Sequence, residues 1–124
     1  MRIKVKFGLG SFEKGSKMAI NPADIRLCSG RYVVAQCGSQ MFKTSVEKTV
    51  NPVFSDTFDI TVVPEQRPLI FFEYYETHPV KADEYKAFSS ISLDDVYQWK
   101  NKQNNTVVDF SNGSRLNVVL VRLD

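Results

Sequence analysis

The sequence predicts an all-β fold, an antiparallel β-sandwich of about eight short strands. Three observations carry this. Hydrophobic residues repeat with period two rather than 3.6 along most of the chain. The alternating runs recur roughly every 10–15 residues, separated by Gly-, Pro- and Asn-containing breaks. Only one short stretch has helical character. At 124 residues the chain is one domain, 1–124, with enough length for a core that needs no staples. It reads as a module of a longer protein.

Each element follows from local pattern. Ile3, Val5, Phe7 and Leu9 alternate with Arg2, Lys4 and Lys6, giving a half-buried strand with a basic outer face. That stripe reads as the guard of an edge strand, or as a contact for an acidic partner. Residues 10–22 are small and polar with Gly and Pro, a long loop. Residues 31–36 are β-rich and turn at Cys37-Gly38-Ser39. Residues 40–46 set Met41, Lys43 and Ser45 against Phe42, Thr44 and Val46 before Asn51-Pro52 breaks the chain. Residues 53–62 carry Phe54, Phe58, Ile60 and Val62 in phase, and 63–68 is a connection fenced by two prolines. Residues 69–75 are dense in β-formers, a central strand. After a second loop, 85–93 holds Phe88, Ile91 and Leu93, and 94–100 has the helical character. Residues 106–110 and 116–123 flank Asn112-Gly113, a strong hairpin signal.

Composition narrows the function classes. With 43% hydrophobic and 24% charged residues the chain is globular rather than disordered. A net charge of +2 excludes a nucleic-acid binder that works by bulk charge. No apolar run approaches the roughly 20 residues of a membrane helix. The charged, alternating N-terminus has no signal-peptide core. Two cysteines, Cys28 and Cys37, are too few for a disulfide scaffold or a four-thiolate zinc site. Asn104-Asn105-Thr106 and Asn112-Gly113-Ser114 fit the glycosylation pattern but read as coincidence without a secretion signal. The expected location is the cytoplasm, with the cytoskeleton or a membrane periphery as places of attachment.

The segment Lys43-Thr44-Ser45-Val46-Glu47-Lys48-Thr49-Val50-Asn51-Pro52-Val53-Phe54-Ser55-Asp56-Thr57-Phe58-Asp59-Ile60 resembles the centre of a C2 domain, whose pattern is Lys-Thr, a spacer, Thr-x-Asn-Pro-x-(Trp or Phe), two polar residues, then Phe. Ser29-Gly30-Arg31-Tyr32-Val33 sits where that family has Ser-Asp-Pro-Tyr-Val, and Asp83-Glu84-Tyr85-Lys86-Ala87 where it has Asp-Asp-Phe-Ile-Gly. The resemblance covers nearly the whole chain. It implies an eight-stranded Greek-key sandwich with binding loops at one end.

Many such domains hold calcium on five aspartates. Carried over, the positions here are Asp24, Gly30, Glu76, His78 and Glu84, so two have lost a carboxylate, and cationic Lys14, Lys17, Arg26, Arg31 and Lys81 lie in or beside the loops. The expectation is a degenerate site with no metal and no cofactor. Glu76-x-His78 suits zinc, but one histidine is thin support for it. The phosphoinositide site of the family is incomplete as well. Tyr32 and Asn51 are present, but the face before the Asn-Pro turn presents Phe42, Thr44 and Val46 where alternating lysines are needed.

Two docking readings follow. In the first, a protein partner meets Phe71 and Tyr75, which lie out of phase with Ile70, Phe72 and Tyr74, unless a turn or loop with Trp99 covers that face. In the second, an anionic phospholipid surface meets the loop 10–22, with Lys14 and Lys17 near Phe12, Met18 and Ile20. Lys14, Lys17, Arg26, Arg31, Lys81, Phe71 and Tyr75 are the candidate contacts. Catalysis is not expected. A Cys28–His78 pair is conceivable but has no orienting acid at a recognisable spacing and no oxyanion turn. The resulting expectation is a non-catalytic, calcium-independent docking module of a larger scaffold or cytoskeleton-associated protein, with membrane targeting as the alternative.

Overall fold

The computed structural model describes residues 1–12, 30–49, 51–93 and 103–123. Within these residues lie eight strands: β1 (Arg2–Ser11), β2 (Gly30–Cys37), β3 (Gln40–Lys43), β4 (Thr57–Thr61), β5 (Leu69–Thr77), β6 (Glu84–Ser92), β7 (Gln103–Asp109) and β8 (Arg115–Arg122). They form two four-stranded antiparallel sheets, ordered β4-β1-β8-β7 and β3-β2-β5-β6. The helical stretch expected at 94–100 lies outside the described residues. A single 3-10 turn, Pro64–Gln66, closes the connection between the two prolines.

Strand period fixes the layers. Ile3, Val5, Ile60, Phe58, Leu116, Val118 and Leu120 from the first sheet meet Val33, Ala35, Ile70, Phe72 and Tyr74 from the second, all buried. Edge-to-face and stacked rings fill the centre, with Phe7 against Phe58 and Phe72, and Phe12 stacked on Tyr74 at 4.5 Å. At the start of β3, Gln40 joins the sheets. Its amide donates to the Thr61 carbonyl and accepts from the Thr61 N–H, both at 2.8 Å, as a backbone partner would.

Three expectations change. Leu9 does not follow Ile3, Val5 and Phe7 inward but is 50% exposed, because β1 slips register against β8 between Phe7 and Gly10. The extra residue reverses the alternation, and Phe12 takes the core position. The Arg2-Lys4-Lys6 stripe guards no edge, since β1 lies between β4 and β8. Instead Lys4 faces Asp59 in register, and Arg2 reaches Asp59 at 3.5 Å. The strand expected over 53–62 narrows to Thr57–Thr61. Val53 makes only an isolated bridge to Leu9, while Phe54, Phe58, Ile60 and Val62 keep the expected phase and are buried.

Candidate functional site

The end of the sandwich reached by the start of β2, the end of β5 and the start of β6 gathers the expected ligand positions. β2 and β5 pair Gly30 with Thr77 and Arg31 with Glu76, and β5 and β6 pair Glu76 with Glu84. Glu76, His78 and Glu84 each bring one ligand atom to within 4.8 Å of the others. The spacing of the sequence therefore does converge in space at these three positions. Asp24 lies outside the described residues.

The two carboxylates of this group already face cations. Glu76 is buried, in phase with Ile70, Phe72 and Tyr74. Its Oε2 accepts the Tyr74 hydroxyl at 2.7 Å and lies 3.7 Å from Arg31 Nη2, and its Oε1 lies 3.6 Å from Lys86 Nζ. Lys86 Nζ also stands 3.9 Å from Glu84 Oε1, and His78 Nε2 is 3.7 Å from that same oxygen.

Arg31 departs most from expectation. In place of a surface contact for lipid or a partner, it is 0% exposed. The cause is its phase: it shares the inward face of β2 with Val33 and Ala35. Its Nη1 donates to the Tyr74 hydroxyl at 2.9 Å, and its Cζ lies 5.2 Å from the Phe12 ring centroid and 5.7 Å from that of Tyr74. A guanidinium tolerates such a box because it is weakly hydrated and stacks on rings. The phase is legible in the sequence, but its meaning requires knowing that Glu76 lies opposite.

Gly30 supplies no side chain, and the structure leaves no room for one. A Cβ there would meet Val46 Cγ1 at 2.7 Å, Thr77 Oγ1 at 3.1 Å and the Glu47 carbonyl at 3.3 Å. This donor set departs from what calcium needs. The ion takes six to eight oxygens, whereas here two carboxylates are shared with Arg31 and Lys86, one donor is a nitrogen and one position is bare.

Of the other expected contacts, Phe71 and Tyr75 lie on the outer face of the β3-β2-β5-β6 sheet. Lys14, Lys17 and Arg26 lie outside the described residues. Lys81 is exposed in the loop between β5 and β6, next to Val80. Phe71 is 49% exposed, while Trp99 lies outside the described residues. Tyr75 is half-buried between Tyr32, stacked at 5.2 Å, and Tyr85, edge-on at 5.7 Å. The face expected to show Phe42, Thr44 and Val46 is arranged otherwise. Phe42 turns inward to stack on Phe58 at 4.1 Å, Thr44 is buried, and Lys43 comes outward, its Nζ 4.2 Å from the Tyr32 centroid. Tyr32 donates to Asp83 Oδ2 at 2.7 Å, and burial, with this bond second, pushes its phenol up to about 12. Of the Cys28–His78 pair, Cys28 lies outside the described residues. Cys37 is a buried free thiol whose pKa is raised by burial.

The sequence model of the C2 domain matches residues 15–109. The chain belongs to the C2 domain family. As a C2 domain it is of a kind that docks on membranes or proteins, and among its described residues no helix is long and apolar enough to cross a membrane. Solved C2-containing structures share its fold. A C2 domain of plant Extended Synaptotagmin 1 superposes with a TM-score of 0.75 at 16% identity, covering 97% of this chain and 92% of that one. Calcium-bound Extended-Synaptotagmin 2, as a pair of C2 domains, gives 0.73 at 16% identity over 97% of this chain and 44% of that one. Human GIVD cytosolic phospholipase A2 in complex with methyl gamma-linolenyl fluorophosphonate gives 0.73 at 18% identity, covering 97% of this chain and 16% of that one. The chain thus spans about a sixth of the length of that phospholipase. No curated protein matches it.

Proposed function

We propose that this C2 domain is a non-catalytic, calcium-independent docking module that binds a protein partner within a larger scaffold-like protein. The observation that carries the reading is the buried Arg31 guanidinium set on Glu76, with Lys86 on its other oxygen. Together they supply the positive charge a divalent ion would bring. The bare and sterically closed Gly30 supports the same reading. Protein rather than lipid is favoured by the outer sheet face, where Phe71 and Phe88 surround a carboxylate, Glu73, that would repel a phosphate headgroup.

Membrane targeting is the second reading. Val80, 69% exposed beside Lys81, gives the loop end an apolar and basic tip. Sedimentation with phosphatidylserine vesicles in chelator separates the two. The docking reading expects the protein in the supernatant. Recovery of most of it with the vesicles overturns that reading, and loss of pelleting on Lys81→Glu would then assign the tip.

A further inference from the structure

The ligand positions do not use the outer face of the β3-β2-β5-β6 sheet. Register lays its side chains out in rows. Tyr32, Tyr75 and Tyr85 form one row across β2, β5 and β6. Lys43, Val34, Glu73 and Phe88 form the next, followed by Met41, Gln36, Phe71 and Ser90. Phe88 is 57% exposed, Phe71 49%, Tyr85 48% and Met41 61%. So many large apolar side chains on one sheet face mark an interaction surface rather than scattered exposure.

The occupant is set by charge. Glu73 stands in the middle of this surface, with Phe88 beside it and Phe71 and Tyr75 on either side along its own strand. Its Oε2 accepts the Tyr75 hydroxyl at 3.2 Å, and among the described residues no cation pairs with it. Lys43 lies two strands away, roughly 10 Å by strand spacing, and is held over the Tyr32 ring at 4.2 Å. That contact shows the rings already attract an ammonium from this chain. A carboxylate ringed by aromatic faces suits a guanidinium or ammonium, which gains an ion pair and a cation–π contact together. The rings are also preorganised: Tyr32 is tied to Asp83, Tyr75 to Glu73, and the two are stacked within 8° of parallel. These two rings have little freedom left to lose when a partner lands.

We propose that this face docks a segment of a partner protein in which arginine or lysine alternates with apolar residues, the cation seating on Glu73 between Phe71, Tyr75 and Phe88. The inference rests on the docking reading above and names its face and its ligand chemistry.

The test uses two fluorescein-labelled synthetic decapeptides, one alternating Leu with Arg and one alternating Leu with Glu. Anisotropy gives their affinities, and amide-shift mapping gives the surface. Bulk charge, +2, favours the acidic peptide, so preference for the basic one reports the local site. The expected result is roughly tenfold tighter binding of the Arg peptide, an affinity ratio of the size one ion pair with a cation–π contact gives. Shifts should centre on Phe71, Glu73 and Phe88. Glu73→Gln, which still accepts from Tyr75, should remove most of the preference, as should Phe88→Ser, whereas Asp59→Asn on the opposite sheet should leave it. Equal binding of the two peptides, unchanged preference in Glu73→Gln, or shifts on the other sheet overturns the inference. So do phosphatidylserine vesicles that perturb Phe71 and Phe88. A calcium-dependent rise in melting temperature would instead strike the docking reading itself and leave the peptide result standing.

Discussion

Replacing Arg31 with Met probes the buried cation directly. The guanidinium is 0% exposed and Glu76 is buried, so the variant leaves a carboxylate in a low-dielectric pocket with one partner fewer. Breaking a buried pair from one side costs roughly 3–5 kcal/mol. Lys86 at 3.6 Å and the Tyr74 hydroxyl at 2.7 Å still stabilise Glu76, which places the cost near the lower end. At about 4 °C per kcal/mol for a chain of this size, the melting temperature should fall by roughly 12 °C. Glu76→Gln keeps an acceptor for Tyr74 and removes the charge. The double variant should therefore lose less than the sum of the singles, by about 1–3 kcal/mol. Urea unfolding at neutral pH measures all four corners of the cycle, with an unchanged m-value as the check that the unfolded state is common to them. An Arg31→Met cost under about 1 kcal/mol, or additivity within about 0.5 kcal/mol, would refute the pairing.

Two further outcomes follow from the geometry. Gly30→Ala drives a Cβ against Val46 Cγ1 at 2.7 Å and should cost about 1–3 kcal/mol by overpacking, read by urea midpoint; Gly30→Asp should be no better and should gain no calcium response. Tyr32 holds its proton to about pH 12 because of burial and the bond to Asp83, against 10 when unfolded. The folded state binds the proton more tightly, so this stability is complete below pH 10 and is lost as pH rises towards 12. Tyr32→Phe should flatten that part of the decline in the urea midpoint, and an identical pH profile in the variant would contradict the assignment.

Much of the fold is written in period two. The phases of Phe54, Phe58, Ile60 and Val62, and of Ile70, Phe72 and Tyr74, follow from alternation alone because one face of each strand must be buried. Leu9 escapes that logic because a bulge adds one residue, which no pattern of apolar residues announces. The place of β1 inside its sheet depends on which strands pair, a long-range property that local charge does not report. At the site, Arg31 lies in phase with Val33, and Glu76 with Tyr74, so both are legible as inward-facing. A charged residue in a core phase asks for a partner on the facing strand. Only the register of β2 against β5, which puts Arg31 opposite Glu76, answers it. The outer face of β5 is visible in the sequence as Phe71, Glu73 and Tyr75, which alternation puts on one side, while Tyr85 and Phe88 join it only through the β5–β6 pairing.

The most direct measurement is the melting temperature of the purified domain in 1 mM calcium against excess chelator. A site with a dissociation constant of about 10 μM would add about 2.7 kcal/mol at that concentration, a rise of roughly 10 °C. With Arg31 and Lys86 set on Glu76, the two curves should superimpose. A calcium-dependent rise of several degrees would contradict the account.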